Sequence, residues 1–200
     1  LTHSRNRLDS LELFPYRELI KKGLQGVMVG HLSIPALDTT AMLASTMSKP
    51  IVTGLLRDSL KFEGLVFTDA MDMKGATKMF PEGQANVKAF LAGNDILETF
   101  VDVPAAFNAI KTALDKNEIT IADLDKRVKR ILNAKAWAGL DRYQAIQMND
   151  LIKDLNPVQS EVLKRQLAEK SVTLLKNSES ILPLRRLDTL KIATLAIGKA

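Results

Sequence analysis

The chain has 200 residues, 46% of them apolar, no cysteine and a net charge of +5, which suits one domain, or one plus part of another, with material for a core. Without cysteine it has no disulfide, zinc–cysteine site or thiol nucleophile, and no stretch nears the roughly 20 apolar residues of a membrane span. Its basic residues, such as Lys126, Arg127, Lys129 and Arg130, are interleaved with acids along helical stretches, the pattern of a solvated face rather than a nucleic-acid footprint.

The opening Leu1 to Ser10 is polar and is not a signal peptide; it lacks an initiator Met and runs straight into structured-looking sequence, so the start of the protein is expected upstream. Leu11 to Gly23 predicts a helix, with Pro15 in its first turn, Lys21 and Lys22 at its C-terminal dipole and Gly23 at C′. Gly26 to His31 is a short apolar run that predicts a buried strand. Ile51 to Phe62 predicts a helix closed near Gly64, and Leu65 to Asp69 a second buried strand ending in polar residues. Gln84 to Ala92 predicts a helix and Asp95 to Glu98 a third short strand.

Apolar strands alternating with helices imply a parallel sheet with both faces covered. Two helices follow, one lined by Val103, Phe107, Ile110 and Leu114, the other by Leu124, Val128, Ile131 and Leu132, with Thr120 and Asp123 resembling a capping box. Periodicity fails from about Leu140 to Pro157, which reads as a linker. A helix over Val158 to Lys170 then leads into Ser171 to Asn177, a turn, Ile181 to Leu184 and Lys191 to Gly198, the pattern of a second α/β domain just beginning.

Chemistry in parallel α/β architectures sits at the carboxyl ends of strands, and both His31 and Asp69 are expected there. Asp69 and Asp72 form the densest polar cluster, in Gly64-Leu-Val-Phe-Thr-Asp-Ala-Met-Asp-Met-Lys-Gly75. A strand-end carboxylate can be a nucleophile, a general base or a metal ligand, and about as often it caps the next helix or bonds loop amides. The Asp-x-x-Asp spacing differs from the Asp-x-Asp of dehalogenase-type phosphatases. Glycine-rich phosphate loops and a Gly-x-Ser-x-Gly elbow do not occur.

The chain as a whole resembles glycoside hydrolase family 3, and within it the β-N-acetylglucosaminidase branch. The matching pieces run in order: His3-Ser-Arg-x-Arg-Leu8, Glu12-Leu-Phe-Pro-Tyr-Arg-x-Leu-Ile20, Gly26-Val-Met-Val-Gly-His31, Pro35-Ala-Leu-Asp38, Gly64 to Met73, Ala92-Gly-Asn-Asp-Ile-Leu97, Ser171-Val-Thr-Leu-Leu-Lys-Asn177 and Leu182-Pro-Leu184. The resemblance implies an α/β fold in which residues 1–140 are the later part of a (β/α)8 TIM-type barrel, 141–157 a linker and 158–200 the truncated start of an α/β sandwich domain. It implies a retaining exo-glycosidase that removes terminal β-linked N-acetylhexosamine from oligosaccharides or muropeptides, with Asp69 as the nucleophile and no cofactor or metal.

The resemblance also puts the branch's acid/base on a His in a Lys-His-Phe-Pro-Gly-His-Gly loop, a motif that does not occur here, so the chain alone is expected to be inactive. His31 either lines the sugar subsite or is a satisfied strand-end histidine. Met71, beside the nucleophile, is either substrate wall or core. His3, Asp72 and Asp95 are read as structural. In the glucosidase branch a Trp characteristically follows the nucleophile; here Ala70 does. A β-glucosidase and a catalytically silent sugar-binding relative are the alternatives. Oligomeric state and compartment leave no mark on the sequence.

Overall fold

The computed structural model describes residues 1–77, 80, 83–98, 102–185, 188–191, 193, 195 and 198, and the backbone alone of Thr77. It divides into two units, Leu1–Tyr143 and Gln144–Ala200.

The first unit opens with a single helical turn at Arg5–Arg7 and a wider π turn at Leu8–Glu12. Helix α1 (Phe14–Lys21) follows, with Pro15 in its first turn. Gly23 takes the left-handed conformation (φ 84°), and Leu24 N–H reaches back to the Leu19 carbonyl at 3.1 Å. This closure turns the chain into strand β1 (Gly26–Val29), which pairs in parallel with β2 (Leu65–Thr68), Val27 beside Val66 and Met28 beside Phe67.

Between the strands lies α2 (Pro50–Ser59), one residue earlier at its start than the sequence predicts and wound in the wide π register, Leu60 N–H bonding Leu55 O at 2.9 Å. Its Val52 and Leu56 pack with Val27, Val66, Phe62 and Ala92, joined by Ile20 and Leu24, so the helices cover one face of the sheet. The apolar runs predict a sheet covered on both faces; among the described residues only one is. Side chains alternate along a strand, and Met28, on the other face, is 58% exposed.

After β2 come a short α3 (Lys74–Thr77) and α4 (Gln84–Ala92), the latter with the bounds the sequence predicts. The expected strand at Asp95–Glu98 is reduced to one parallel bridge, Phe67 beside Ile96. Side chains explain the loss. The Asp95 carboxylate accepts Val66 N–H at 2.9 Å, and Glu98 N–H goes to the Thr68 hydroxyl at 2.9 Å instead of a backbone carbonyl.

Helices α5 (Val103–Asp115) and α6 (Ile121–Trp137) complete the unit. Asp102 caps α5 by accepting Ala105 N–H, and the Thr120 hydroxyl caps α6 by accepting Asp123 N–H. The Asp123 carboxylate in turn accepts the Thr120 hydroxyl at 2.7 Å, so the two residues cap the helix start reciprocally, as the sequence predicts.

Asp95, its side chain fully buried, also receives Arg57 from α2 at 2.5 Å and Arg130 from α6 at 2.9 Å. Burial pushes the Arg57 guanidinium below its usual range, and the Asp95 charge opposes that shift. Arg127 donates to the Asn94 and Phe90 carbonyls and lies over the Phe90 ring, 3.8 Å from its centroid.

The second unit holds α7 (Leu151–Leu155) and α8 (Val158–Ser171). Beyond them Asn177 brackets Leu182, accepting its N–H at 3.0 Å and donating to its carbonyl at 2.7 Å. The apolar run Lys191 to Gly198 lies in part outside the described residues.

Glycine placement gives a direct test of this packing. A Cβ on Gly64 would overlap the Gln25 carbonyl oxygen, beside the bond from Leu65 N–H to Gln25 O that starts the β1–β2 pairing, and would lie 2.7 Å from Phe62 Cζ. Gly54, inside α2, has nothing nearer than 3.9 Å. Gly64→Ala should therefore cost about 1–3 kcal/mol, the range for overpacking. Gly54→Ala should be neutral or stabilise by up to about 1 kcal/mol. Thermal unfolding of the whole protein measures both, and two equal melting temperatures would contradict the packing described.

Candidate active site

Asp69 is the first residue past β2, and its N–H donates to Val29 O at 2.9 Å, extending the parallel pairing to the carboxyl end of the sheet. The half-buried side chain has two unlike oxygens. Oδ1 accepts Ala70 N–H at 2.8 Å. Oδ2 accepts no hydrogen bond among the described residues and lies 3.9 Å from where a Cβ on Gly30 would stand. A carboxylate held by one oxygen with the other open at a strand's end can attack an electrophile, take a proton or meet a cation.

The turn after Asp69 is fixed from several sides. Ala70 O accepts Met73 N–H at 3.1 Å and the His31 ring Nε2 at 2.9 Å, while Met71 N–H donates to Glu98 O at 2.9 Å. The Ala70–Met71 peptide is thus gripped at its oxygen and at its hydrogen. His31 stands just beyond β1, as the sequence predicts. Its Nδ1 meets the hydroxyl of Thr46, a fully buried residue, at 2.7 Å, so both ring nitrogens are occupied within the chain.

Of the residues singled out in the sequence, Asp69 and His31 come together through the Ala70 peptide. Met71 does not join them at the opening. It is 3% exposed and packs with Ala44, Met47, Ala76, Ala85 and Ala89, which makes it core beneath the turn rather than substrate wall. The N–H bond to Glu98 draws residue 71 inward and leaves Asp72 and Met73 exposed. His3 is exposed, and Asp95 lies at the opposite end of β2.

The sequence did not point to the polar layer behind His31. Ser45 Oγ donates to Gly30 O at 2.5 Å and accepts Leu32 N–H at 3.1 Å, and the Asn94 amide, fully buried, donates to Thr46 O at 2.8 Å and Ala89 O at 2.6 Å. Ser48 Oγ donates to Asp38 at 2.5 Å, closing the loop that carries these hydroxyls. That bond, with Thr40 N–H beside it, lowers the Asp38 carboxyl below the usual range. The one sequence signal was the Gly-Asn-Asp run at 93–95, since nothing in spacing links Ser45 and Thr46 to His31.

Residues 1–134 match the family model of the glycosyl hydrolase family 3 N terminal domain. A β-N-acetylglucosaminidase/β-glucosidase of Cellulomonas fimi is 30% identical over 179 residues, 86% of this chain and 32% of that protein. β-Hexosaminidase A of Pseudoalteromonas piscicida is 29% identical over 202 residues, 92% of this chain and 33% of that protein. Among solved structures, a glycoside hydrolase family 3 β-N-acetylglucosaminidase of Paenibacillus sp. str. FPU-7 superposes with a TM-score of 0.73 at 33% identity, covering 88% of this chain and 34% of its own. The chain thus spans about a third of the length of the relatives it matches. With its parallel β1–β2 pair and Asp69 at the carboxyl end, it belongs to glycoside hydrolase family 3.

Proposed function

We propose that the protein is a retaining exo-glycosidase that removes terminal β-linked N-acetylglucosamine, with Asp69 as nucleophile at the rim of a (β/α)8 barrel. The observation that carries this reading is the carboxylate itself, Oδ1 tied to the Ala70 amide and Oδ2 open at the end of β2. Oδ2 attacks the anomeric carbon as the bond to the leaving oxygen breaks, and a covalent glycosyl-aspartate forms. Water then attacks the same carbon, giving up a proton that replaces the one taken by the leaving oxygen, and the Asp69 carboxylate is released. Two inversions give net retention. The leaving oxygen must receive a proton, and no residue of this chain is assigned that role.

Holding Asp69 on a strand rather than a loop supports the reading, because a nucleophile must meet one face of the sugar reproducibly. The Ala70 amide at Oδ1 also fixes the rotation of the carboxylate, so that Oδ2 is the oxygen left to attack. Substrate choice rests on the same turn. Ala70 stands where the glucosidase branch carries an indole, and the single Trp of the chain, Trp137, is 71% exposed at the end of α6. The space freed beside the nucleophile suits an acetamido group, and the names of the relatives from P. piscicida and Paenibacillus point the same way. A β-glucosidase is the second reading, favoured by the double name of the C. fimi relative. The substrates proposed are bacterial wall fragments or chitin-type oligosaccharides.

In the whole protein, Asp69→Asn should lower turnover by about 10⁴- to 10⁶-fold, the cost of deleting one member of a catalytic unit, while unfolding stays unchanged. Initial rates on a p-nitrophenyl glycoside measure it, and an Asn variant of ordinary activity would remove Asp69 from the reaction. For the sugar, kcat/KM on p-nitrophenyl β-N-acetylglucosaminide should exceed that on the β-glucoside by roughly 10- to 200-fold, the discrimination a pocket contact of this size supplies. Equal values, or a preference for the glucoside, would favour the second reading.

A further inference from the structure

His31 is placed to be read in two ways, as a hand on the sugar or as a brace for the nucleophile's turn. The hydrogen bonds decide between them. Ala70 O is a carbonyl and can only accept, so His31 Nε2 carries the hydrogen. In the neutral ring Nδ1 is then an acceptor, and the Thr46 hydroxyl, 2.7 Å away and fully buried, donates to it. Thr46 is in turn anchored through its own carbonyl to the buried Asn94 amide. The relay runs from Asn94 to Thr46 to His31 to the Ala70 carbonyl, and the N–H of that same residue, Ala70, holds Asp69 Oδ1.

Packing supports the same assignment. A Cβ added to Gly75 of α3 would lie 3.0 Å from His31 Cβ, so the glycine lets the segment after the turn close against the histidine. With both nitrogens engaged and its flank covered, the ring has no free polar atom to offer a sugar hydroxyl.

Resting on the proposed role of Asp69, we infer that His31 is a positioning residue. As the Nε2–H tautomer, backed by Thr46, it pins the Ala70 carbonyl and so sets the direction in which Asp69 Oδ2 points, without touching substrate. Losing the brace lets the turn relax, and the carboxylate then attacks from a poorer angle although the sugar still binds.

The test uses the whole protein and four variants, His31→Ala, His31→Gln, Thr46→Val and Thr46→Ser. Misplacing a reacting group by about 1 Å can cost up to about 100-fold. His31→Ala should therefore lower kcat on p-nitrophenyl β-N-acetylglucosaminide by roughly 10- to 100-fold with KM nearly unchanged. Trapping by a fluorinated sugar should slow by the same factor. Glutamine, whose amide N–H can still reach the Ala70 carbonyl, should restore most of the rate. Thr46→Val should repeat the kcat loss from a residue too buried to meet a sugar, Thr46→Ser should not, and the double variant His31→Ala/Thr46→Val should be no slower than the slower single variant.

A rise in KM at unchanged kcat in His31→Ala would make His31 a substrate ligand and overturn the inference. So would a Thr46→Val variant with wild-type kcat. Should the alanine variant not fold, selective ¹⁵N-histidine spectra of the unaltered protein remain decisive, since a neutral His31 protonated on Nδ1 would also overturn it. Failure of the underlying reading looks different: an active Asp69→Asn variant removes the nucleophile whatever His31 does.

Discussion

A single buried carboxylate ties the root of β2 to helices α2 and α6. Asp95 accepts the Val66 amide, Arg57 from α2 and Arg130 from α6, with none of its side chain open to solvent. Removing one partner from such a cluster leaves an uncompensated charge, which is why buried pairs are costly to break even where they add little net stability. Arg57 carries the clamp further, donating to the Phe62 and Gly64 carbonyls and lying 5.3 Å from the centroid of the Phe62 ring. The tight passage at Gly64, and with it the register of β2 against β1, depends on this cluster.

That register decides where Asp69 ends up. Three residues of strand, about 10 Å at the usual rise, separate the clamp at Val66 from the carboxylate. A slip of one residue would turn Val66 and Thr68 outward and carry Asp69 to the other face. The root is locked by ion pairs to a buried carboxylate, the opening by hydroxyls, amides and one histidine. This division fits the chemistry proposed: the hydrogen-bonded brace of Asn94, Thr46 and His31 fixes the geometry of the turn that carries the carboxylate.

Much of this was legible in the sequence, and the illegible parts share a cause. Local signals did well. Gly23 closes α1, α4 has its predicted bounds, and Asp69 and His31 stand at the ends of their strands because an apolar run meets a polar stop. What failed depended on side chains distant in sequence. The third strand shrinks to a bridge because the Thr68 hydroxyl intercepts Glu98 N–H across 30 residues. Met71 sinks into the core because that same neighbouring segment takes its amide. The bond from His31 to Ala70 spans 39 residues and that to Thr46 spans 15, so no spacing rule reveals them. The wide register of α2 likewise left no mark in an apolar pattern that an ordinary helix would share.

The most direct test of the account is to catch the sugar on the protein. A fluorinated β-N-acetylglucosaminide that reacts quickly but hydrolyses slowly should leave one sugar covalently attached to the whole protein. After tryptic digestion the added mass should fall on the peptide from Phe62 to Lys74, which contains three carboxylates, Glu63, Asp69 and Asp72. Fragment ions should assign it to Asp69. A label on Glu63, on Asp72 or on another peptide would contradict the claim that the open oxygen at the end of β2 is the attacking atom.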